Sequence, residues 1–348
     1  MKRFAAVLFF FIAFLYNGYA RADAAAAVVL EAQTGRVLYA VNETQTLPMA
    51  STTKIMTALV ALENADLSDI VTTGDNAYGV PGTSIYLQKG EQLTLEQMLY
   101  GLMLASGNDA AVAIAEHVGG SVSGFCDMMN ARARQIGCEN THFVTPHGLP
   151  AQQHYTTAYD LALIAREAMK NADFRRIVST QHATIPWHGH DYDRVLTNKN
   201  RLLSAYPGAL GIKTGYTEKA GYCLVSAVQR DGVNVIAVVL GADGDTANKE
   251  FDSFADTVTL LDWCFENYSY RSIVERGYPA AVQPIEKDGR RGEITLVCSQ
   301  EINALAEKAL DAAKLKSEVT LYAETLTDVP AEGTELGTVT FSDPGDGT

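Results

Sequence analysis

The hydrophobic pattern of this chain changes its period several times, and this succession limits the available folds more than any single residue does. Residues 27–40 alternate like two short strands joined by a turn. Apolar residues then recur at helical spacing in five segments, at 51–64, 95–104, 109–118, 125–136 and 159–169. Strands return at 222–229 and 233–240 around Asp231 and Gly232, and an amphipathic helix follows at 251–265. The pattern therefore predicts a short hairpin, a group of helices, and then strands.

The character of the chain changes again after about Tyr270, where short alternating strands replace long helices. We expect one large domain over residues 24–268 and a small, mostly β domain over residues 270–341, followed by a polar tail at 342–348. The length of 348 residues is about twice the ~150 residues usual for one domain, which agrees with two domains.

Residues 1–20 have the composition of an export signal. Lys2 and Arg3 precede an apolar run at 4–16 that is short for a bilayer span, and the small residues Gly18 and Ala20 occupy positions that a signal peptidase reads. We expect cleavage after Ala20 and an extracytoplasmic location in the cell wall, the periplasm or the medium. An uncleaved N-terminal anchor is the alternative.

Charge and cysteine content exclude several classes of protein. The formal net charge is −14, from 41 acidic and 27 basic residues, so a nucleic-acid partner is not expected. The five cysteines include no Cys-x-x-Cys pair, which argues against a zinc or redox motif. Their number is odd and most lie in apolar patterns, so we expect mostly free thiols.

The segment from Ser51 to Lys54 opens the first helical stretch with the pattern Ser-x-x-Lys. Residues three apart share a helix face, so the Lys54 amine can approach the Ser51 hydroxyl, and the helix start offers N–H groups to a developing oxyanion. A lysine whose pKa is lowered by burial and by neighbouring positive charge can take the serine proton. A serine cap followed by an exposed lysine would give the same pattern, so the pair needs further support.

Two further motifs supply that support. Ser106 and Asn108, on either side of a glycine, interrupt helical territory and can serve a proton network and a substrate amide. Lys213 and Thr214 lie in a strand pattern, where they can bind a carboxylate. Gly215, without a side chain, can let a ligand lie against the backbone.

Taken in order, the three motifs resemble those of the penicillin-recognising serine acyltransferases. Flanking segments narrow the resemblance to the low-molecular-mass penicillin-binding proteins that are D-alanyl-D-alanine carboxypeptidases, serine peptidase family S11. These segments are residues 48–57, Ser-Gly-Asn at 106–108 in place of Ser-Asp-Asn, Pro-His-Gly-Leu at 146–149, and residues 211–217. The resemblance covers nearly all of the chain after residue 20.

The resemblance implies a fold, an activity and a set of partners. The implied fold belongs to the α+β class. It is a catalytic domain of the penicillin-binding protein and β-lactamase type, with a five-stranded antiparallel sheet flanked by helices, followed by a small, mostly β domain. The implied activity is removal of the terminal D-alanine from peptidoglycan stem pentapeptides through an acyl-enzyme, without metal or organic cofactor. β-Lactam antibiotics are implied as covalent inhibitors.

The catalytic roles also come from the resemblance. It implies Ser51 as the acylated nucleophile and Lys54 as its general base. Ser106 is implied to relay a proton to the leaving group, and Asn108 to hold the backbone amide of the substrate. The backbone N–H groups of Ser51 and Tyr216 are implied to form the oxyanion hole.

The same resemblance implies a site for the terminal carboxylate of the substrate. Lys213 and Thr214 are implied to bind this carboxylate, and Gly215 follows them on the strand. Some relatives carry a further basic residue upstream that assists. The sequence does not decide whether Lys199 or Arg201 has this role.

Rival functions and other candidate residues can be weighed on the sequence. A β-lactamase is the enzymatic rival, but Glu167 belongs to a helical pattern and lacks the Glu-x-x-Leu-Asn context of a deacylating glutamate. A non-catalytic wall-binding protein is the other rival, which the intact motifs disfavour. His188 and His190 lack a third metal ligand nearby, and His147 is expected to shape the edge of the site.

The end of the chain differs from that of many relatives, which carry a membrane-fastening C-terminal helix. Here the last residues, 342–348, are polar and turn-forming. We expect either a released protein or a natural end beyond residue 348. Peripheral contact with the membrane or the wall is compatible with both.

Overall fold

The computed structural model describes residues 22–245, 250–311 and 314–342. The expected signal segment, residues 1–20, and residues 343–348 of the polar tail lie outside the described residues. The chain divides into two compact units. The first comprises residues up to 228 and 236–263, and the second comprises 229–235 and the residues from 264 onward.

The helices and strands follow the succession that the sequence predicts. The α-helices of the described residues are α1 (Lys54–Asn64), α2 (Leu95–Met103), α3 (Asn108–Gly119), α4 (Val122–Ile136), α5 (Ala158–Ala168), α6 (Ala172–Ser179), α7 (Leu202–Ala205) and α8 (Asp252–Asn267). The strands of the described residues are β1 (Ala26–Glu31), β2 (Val37–Val41), β3 (Ile70–Thr72), β4 (Gln92–Thr94), β5 (His182–Ile185), β6 (Arg194–Thr197), β7 (Ala209–Thr217), β8 (Gly221–Arg230), β9 (Val233–Ala242), β10 (Gly244–Asp245), β11 (Glu250–Phe251), β12 (Tyr268–Val274), β13 (Pro279–Lys287), β14 (Arg290–Val297), β15 (Ile302–Glu307), β16 (Lys316–Leu321) and β17 (Gly337–Ser342). Sequence patterns missed the short elements α7, β3, β4, β5 and β6, because three or four residues show no readable period. The eight-residue helix α6 was also missed.

A five-stranded sheet in the order β2-β1-β9-β8-β7 forms the centre of the first unit. The hairpin of β1 and β2 pairs Val29 with Tyr39, and β8 and β9 are joined at the predicted turn of Asp231 and Gly232. Every residue of β1 is buried, as is most of β8 and β9, so both faces of the sheet are covered. The implied five-stranded antiparallel sheet flanked by helices is confirmed.

Helix α1 runs through the interior of the first unit and packs against α2, α3, α4, α5 and α6. It is buried on all sides from Lys54 to Ala61. A helix of this kind is stabilised by packing rather than by exposed polar contacts. The site residues on its first turn therefore have little freedom to move.

Local capping sets the ends of the surrounding helices. Thr94 and Gln97 form a capping box at the start of α2, and Ser121 accepts a bond from Gly124 N at the start of α4. Gly120 and Gly137 end α3 and α4 in the left-handed region that glycine adopts without strain.

The second unit consists mainly of antiparallel strand pairs. Strand β12 pairs with β15, β13 with β14, and β16 with β17, where Val319 lies opposite Val339. The mostly β character expected after Tyr270 is therefore observed. All five cysteines of the chain are buried free thiols. Among the described residues, no helix is both long and apolar enough to cross a bilayer.

Candidate active site

A tight turn places Ser51 at the entrance of helix α1. Residues Ala50–Thr53 form a single 3-10 turn, and the α-helix begins only at Lys54. Ser51 is partly exposed, whereas Thr52, Thr53 and Lys54 are buried. Ala50 has a φ of 48°, a left-handed conformation that is strained for alanine and typical of functional sites. The serine hydroxyl therefore faces solvent at the end of a rigid, buried helix.

The side chain of Lys54 is completely buried, and three oxygen atoms surround its amine. Nζ lies 3.0 Å from Ser51 Oγ, 2.7 Å from Asn108 Oδ1 and 2.8 Å from the carbonyl oxygen of His147. A neutral amine has two N–H groups and one lone pair. The amide and carbonyl oxygens can accept both N–H groups, which leaves the lone pair directed at the Ser51 hydroxyl.

The electrostatic surroundings of Lys54 favour this neutral form. Burial lowers the pKa of Lys54 well below its usual value, and the positive charges of Lys213 and Lys199 lower it further. Asp109 acts in the opposite direction. The two conditions that the sequence analysis set for a Ser-Lys pair, burial and neighbouring positive charge, are both met.

The connector before α3 brings the second motif to the same place. Ser106 is 4% exposed, has a φ of 66°, and its hydroxyl has no hydrogen-bond partner among the described residues. Asn108 donates from Nδ2 to the carbonyl of Pro81 at 2.7 Å, which fixes Oδ1 towards Lys54. A Cβ at Gly82 would lie 2.8 Å from that Nδ2, so glycine makes this bond accessible. Asn108 thus positions Lys54, a function that the sequence did not indicate.

The loop at residues 145–149 supplies the third contact to Lys54 through its backbone. Thr57 Oγ1 donates to the carbonyl of Pro146 at 2.6 Å, which ties the loop to α1. A Cβ at Gly148 would lie 1.8 Å from the carbonyl oxygen of Ala50, so only glycine permits this approach. The Nδ1 atom of His147 accepts a bond from Leu149 N, and burial, followed by the charge of Lys54, lowers its pKa to about 3. His147 shapes the edge of the site through its carbonyl.

His154 is a neighbour of the site that the sequence analysis missed. Its Nδ1 accepts a bond from Val144 N at 3.0 Å, so Nε2 carries the proton and faces Thr53 Oγ1 at 3.0 Å. Burial lowers the pKa of His154 to about 4, so the ring is neutral. Its signal in the sequence is weak, because a single histidine in a loop has many uses.

Strand β7 lies at the edge of the sheet and packs against the turn that carries Ser51. Lys213 is 1% exposed, and among the described residues its Nζ donates only to the carbonyl of Thr214, at 3.0 Å. Burial, with a contribution from Lys199, lowers the pKa of Lys213 to about 7. A buried lysine with unused donors and no carboxylate partner is suited to an anionic ligand.

Gly215 and Tyr216 complete the third motif, and the surroundings of Gly215 differ from the prediction. A Cβ at Gly215 would lie 3.0 Å from Ser51 N and 3.1 Å from Thr52 N. The space that the sequence analysis reserved for a ligand is therefore occupied by the chain's own nucleophile turn. Tyr216 is 47% exposed and stacks on Tyr222 at 4.4 Å between ring centroids.

The structure distinguishes the two basic candidates upstream of β7. The charge of Lys199 acts on both Lys54 and Lys213, and its Nζ lies 3.4 Å from Thr83 Oγ1. The guanidinium of Arg201 instead lies over the ring of Phe251 at 4.8 Å. Lys199 is therefore the basic residue whose charge reaches the site.

Asp109 supports the site from behind. Its carboxylate accepts bonds from Ser84 Oγ, Ile85 N and Leu87 N. These bonds hold the loop whose Pro81 and Thr83 carbonyls accept from Asn108. A buried carboxylate with so many donors is a structural anchor for the loop.

Other candidates of the sequence analysis lie elsewhere. Glu167 is on α5, where it forms ion pairs with Arg132 at 2.7 Å and Lys170 at 2.6 Å, so it does not act as a deacylating base. His190 stacks on Trp187 in a surface hairpin. No group of three or more His, Cys, Asp or Glu residues in the described ranges is arranged to hold a metal ion.

Known proteins are similar to this chain in sequence and in fold. The D-alanyl-D-alanine carboxypeptidase family, peptidase S11, matches residues 17–244. The D-alanyl-D-alanine carboxypeptidase DacF of Bacillus subtilis strain 168 is 36% identical over 329 residues, covering 93% of this chain and 82% of DacF. Both findings agree with the motif resemblance.

Solved structures agree with the sequence match. Penicillin-binding protein 5 of Haemophilus influenzae has a TM-score of 0.73 and 27% identity, covering 94% of this chain and 95% of that one. A mutant of the Streptomyces K15 DD-transpeptidase has a TM-score of 0.65 and 36% identity, covering 70% of this chain and 97% of that one. Because the family match spans well over half of the chain and the relatives align over most of its length, this protein belongs to the D-alanyl-D-alanine carboxypeptidases of peptidase family S11.

Proposed function

We propose that this serine carboxypeptidase removes the terminal D-alanine of peptidoglycan stem pentapeptides by acylation of Ser51, with Lys54 as the general base. One observation carries the proposal: the buried amine of Lys54 has two carbonyl-type acceptors and the Ser51 hydroxyl as its third neighbour. That set of partners suits a neutral amine that accepts a proton. An ordinary helix-surface lysine would be exposed and charged.

Acylation in this site needs one nucleophile, one base and one relay. Ser51 Oγ attacks the carbonyl carbon of the penultimate D-alanine while its proton passes to Lys54 Nζ. The C–N bond then breaks, and Ser106, whose hydroxyl has no described protein partner, passes that proton to the departing amine. Lys54 is neutral again and can deprotonate the water that hydrolyses the ester on Ser51.

The oxyanion of each tetrahedral intermediate requires donors next to Ser51. The backbone N–H groups of Ser51 and Tyr216 are the proposed pair. The close approach of Gly215 to Ser51 N supports this, because it brings β7 beside the nucleophile turn. Asn108 retains one N–H and one lone pair for the substrate amide after its contacts with Lys54 and Pro81.

The free carboxylate of the substrate distinguishes a carboxypeptidase from an endopeptidase. We assign it to Lys213 and Thr214, with the charge of Lys199 nearby. The unused donors of buried Lys213 support this assignment. A carboxylate bound there compensates the buried charge, so binding raises the pKa of Lys213 and keeps it protonated.

The same site accounts for the proposed reaction with β-lactams. Their strained amide takes the place of the D-Ala-D-Ala bond, and their carboxylate takes the place of the substrate's. Ser51 is acylated, and the leaving nitrogen stays attached to the adduct, where it hinders the approach of water. A β-lactamase would release this adduct quickly, and the ion-paired Glu167 offers no base for that step.

Location and domain roles follow from this activity. We place the protein outside the cytoplasm, where its polymeric substrate lies, with residues 1–20 as the export signal. The first compact unit holds the whole site, and we assign it the catalysis. The strand-rich second unit is assigned to positioning the enzyme at the wall or the membrane surface.

The direct test is Ser51→Ala, with Ser121→Ala as the control on the surface of the same unit. Ser51→Ala should form no adduct with a fluorescent penicillin and release no D-alanine from a pentapeptide, because the attacking oxygen is gone. Ser121→Ala removes only the cap of α4, so it should form the adduct and release D-alanine like the unchanged protein. Mass spectrometry of the adduct identifies the acylated residue, and an adduct of normal yield on Ser51→Ala contradicts the proposal.

A further inference from the structure

A group of aromatic side chains lies at the tip of the hairpin formed by β5 and β6. The ring centroids of Trp187 and His190 are 4.3 Å apart, and Tyr192 lies 5.6 Å from Trp187 and 5.1 Å from His190. Tyr192 is 57% exposed. We call these three residues the aromatic platform. None of them is used by the reaction described above.

The platform is held rigidly by a buried ion pair. Arg194, next to the hairpin tip, binds both carboxylate oxygens of Glu91, at 2.6 and 2.9 Å. Its guanidinium also lies 5.2 Å from the centre of the Trp187 ring and donates to the carbonyl of Tyr86 at 3.2 Å. A paired and nearly inaccessible arginine fixes its neighbours more firmly than a surface contact would. The hairpin tip is therefore fastened to the segment at 86–91.

This segment continues into the loop that contacts the catalytic residues. Thr83 accepts a bond from Asn108 N at 2.7 Å, and Asn108 in turn binds Lys54. From Thr83 to Tyr86 the chain advances three residues, at most about 11 Å. Tyr86, whose carbonyl accepts the bond from Arg194, is 67% exposed.

The substrate continues beyond the stem peptide, away from the bond that is cleaved. An extended pentapeptide spans about 17 Å, so its far end reaches well past the residues around Ser51. In peptidoglycan that end is attached to an amino-sugar ring. A series of contacts runs from Ser51 through Lys54 and Asn108 to the loop at 81–91, which holds the platform. The proposal places the sugar ring on this platform when the terminal D-alanine is at Ser51.

The surface chemistry of the platform also fits a sugar. A pyranose ring has an apolar C–H face and a rim of hydroxyl and amide groups. Exposed aromatic rings attract the C–H face, and neighbouring polar groups bind the rim. The exposed side chains of Asp191 and Asp193 supply acceptors beside the rings. Three side chains are too small an area for a stable protein interface, which needs about 800 Å² on each partner.

We propose that the aromatic platform binds a pyranose ring of the glycan strand and so favours stem peptides that are still attached to sugar. The inference rests on the proposed function, because it names the further substrate class of the same site. It makes Tyr192 and Trp187 specificity residues, which contact the sugar and take no part in bond cleavage.

Binding can be measured without catalysis. The chain has two tryptophans, so Trp263→Phe leaves Trp187 as the sole indole reporter. Titration of that variant with the disaccharide of N-acetylglucosamine and N-acetylmuramic acid, free of peptide, should give a saturable change in fluorescence. Adding Tyr192→Ala should abolish the change, whereas adding Tyr322→Ala, an equally exposed tyrosine of the second unit, should not. No change, or a change that survives Tyr192→Ala, overturns the proposal.

Kinetics test the consequence for the reaction. We expect kcat/KM for a disaccharide-linked pentapeptide to exceed that for the free pentapeptide by roughly three- to tenfold, the value of one aromatic contact. Tyr192→Ala should reduce the ratio to about one without changing kcat/KM for the free peptide. If this ratio of kcat/KM values is the same in the unchanged protein and in Tyr192→Ala, the proposal is wrong. If neither peptide is hydrolysed, the proposed function is wrong, and the fluorescence titration still decides whether sugar binds.

Discussion

At the scale of single residues, the site depends on what burial does to two lysines. Lys54 and Lys213 are both nearly inaccessible, and burial lowers the pKa of each. The groups around each lysine then favour a different protonation state and a different function. Lys54 has acceptors for two N–H groups and a hydroxyl to deprotonate, so it serves as a base. Lys213 has donors to spare and no described acidic partner, so it serves as a cation for a carboxylate.

Replacing Lys54 by arginine tests general-base action directly. Lys54→Arg keeps the positive charge, but a guanidinium cannot be deprotonated in a protein. We expect penicillin acylation to fall by at least about a hundredfold, the usual contribution of a general base. The second-order acylation rate measures this, with the circular dichroism spectrum confirming the fold. A rate near that of the unchanged protein would exclude Lys54 as the base.

Removing the charge of Lys199 should move the pH profile of acylation. Lys54 must be neutral to act as a base, so the acylation rate rises as the pH passes upward through its lowered pKa. Lys213 must be charged to bind the carboxylate, so substrate binding to the free enzyme weakens above about pH 7. The charge of Lys199 lowers both pKa values. In Lys199→Gln both therefore rise, and the rising and falling limbs should shift to higher pH.

The control is Lys170→Gln, which removes the same charge from the exposed turn after α5, where Lys170 pairs with Glu167. Its profile of kcat/KM against pH should coincide with that of the unchanged protein. A shift to lower pH in Lys199→Gln would show that the sign of the coupling is wrong.

At the scale of elements, the site is assembled where a loop crosses a helix start. The 3-10 turn at Ala50–Thr53 and the loop at 145–149 approach so closely that Gly148 lies against the carbonyl of Ala50. The same crossing places the carbonyl of His147 at Lys54. One glycine thus permits both the packing of the loop and the third contact to the catalytic amine.

Gly148→Ala and Gly137→Ala separate the effect of space from that of backbone strain. Both glycines have a positive φ, 91° and 97°, but a Cβ would meet Ala50 O at 1.8 Å at position 148 and nothing within 4 Å at position 137. Gly137→Ala should cost about 1 to 2 kcal/mol of unfolding free energy, the strain of a left-handed alanine. Gly148→Ala should cost about 3 kcal/mol or more and greatly slow acylation.

Denaturant unfolding and penicillin labelling of the two variants measure these effects. Similar losses of unfolding free energy would mean that the loop can move away from Ala50. The contact of His147 with Lys54 would then not depend on Gly148.

At the scale of the whole molecule, chemistry and scaffold are separated along the chain. Every residue of the proposed mechanism lies in the first compact unit, between Ser51 and Tyr216. The second unit is built from short strand pairs and contributes none of the catalytic motifs. Such a division is expected when one part reacts and another determines where the reaction occurs.

A chain ending at Asn267, the last residue of α8, should therefore retain acylation by penicillin. We expect the same acylation rate for the shortened and the full chain, because no proposed site residue is lost. Binding to isolated peptidoglycan should weaken in the shortened chain, since the strand-rich unit is assigned to positioning. Loss of acylation in a shortened chain that still unfolds cooperatively would contradict this separation.

The sequence by itself determined the elements and the identity of the reacting groups. Apolar spacing located the hairpin of β1 and β2, five helices of the first unit and the hairpin of β8 and β9, because these patterns depend on near neighbours. Ser51 and Lys54 are three residues apart, so their approach is also local. The three motifs in order, together with their flanking segments, were enough to find the family.

Only the tertiary structure decided which partners surround these groups. Asn108 and the carbonyl of His147 reach Lys54 across 54 and 93 residues, and Gly215 makes room for the backbone of Ser51 rather than for a ligand. The choice of Lys199 over Arg201 also came from position in space. Every residue has a backbone carbonyl group, so the sequence does not show which carbonyl will contact Lys54. Contacts of this kind depend on long-range packing and are decided only by the folded chain.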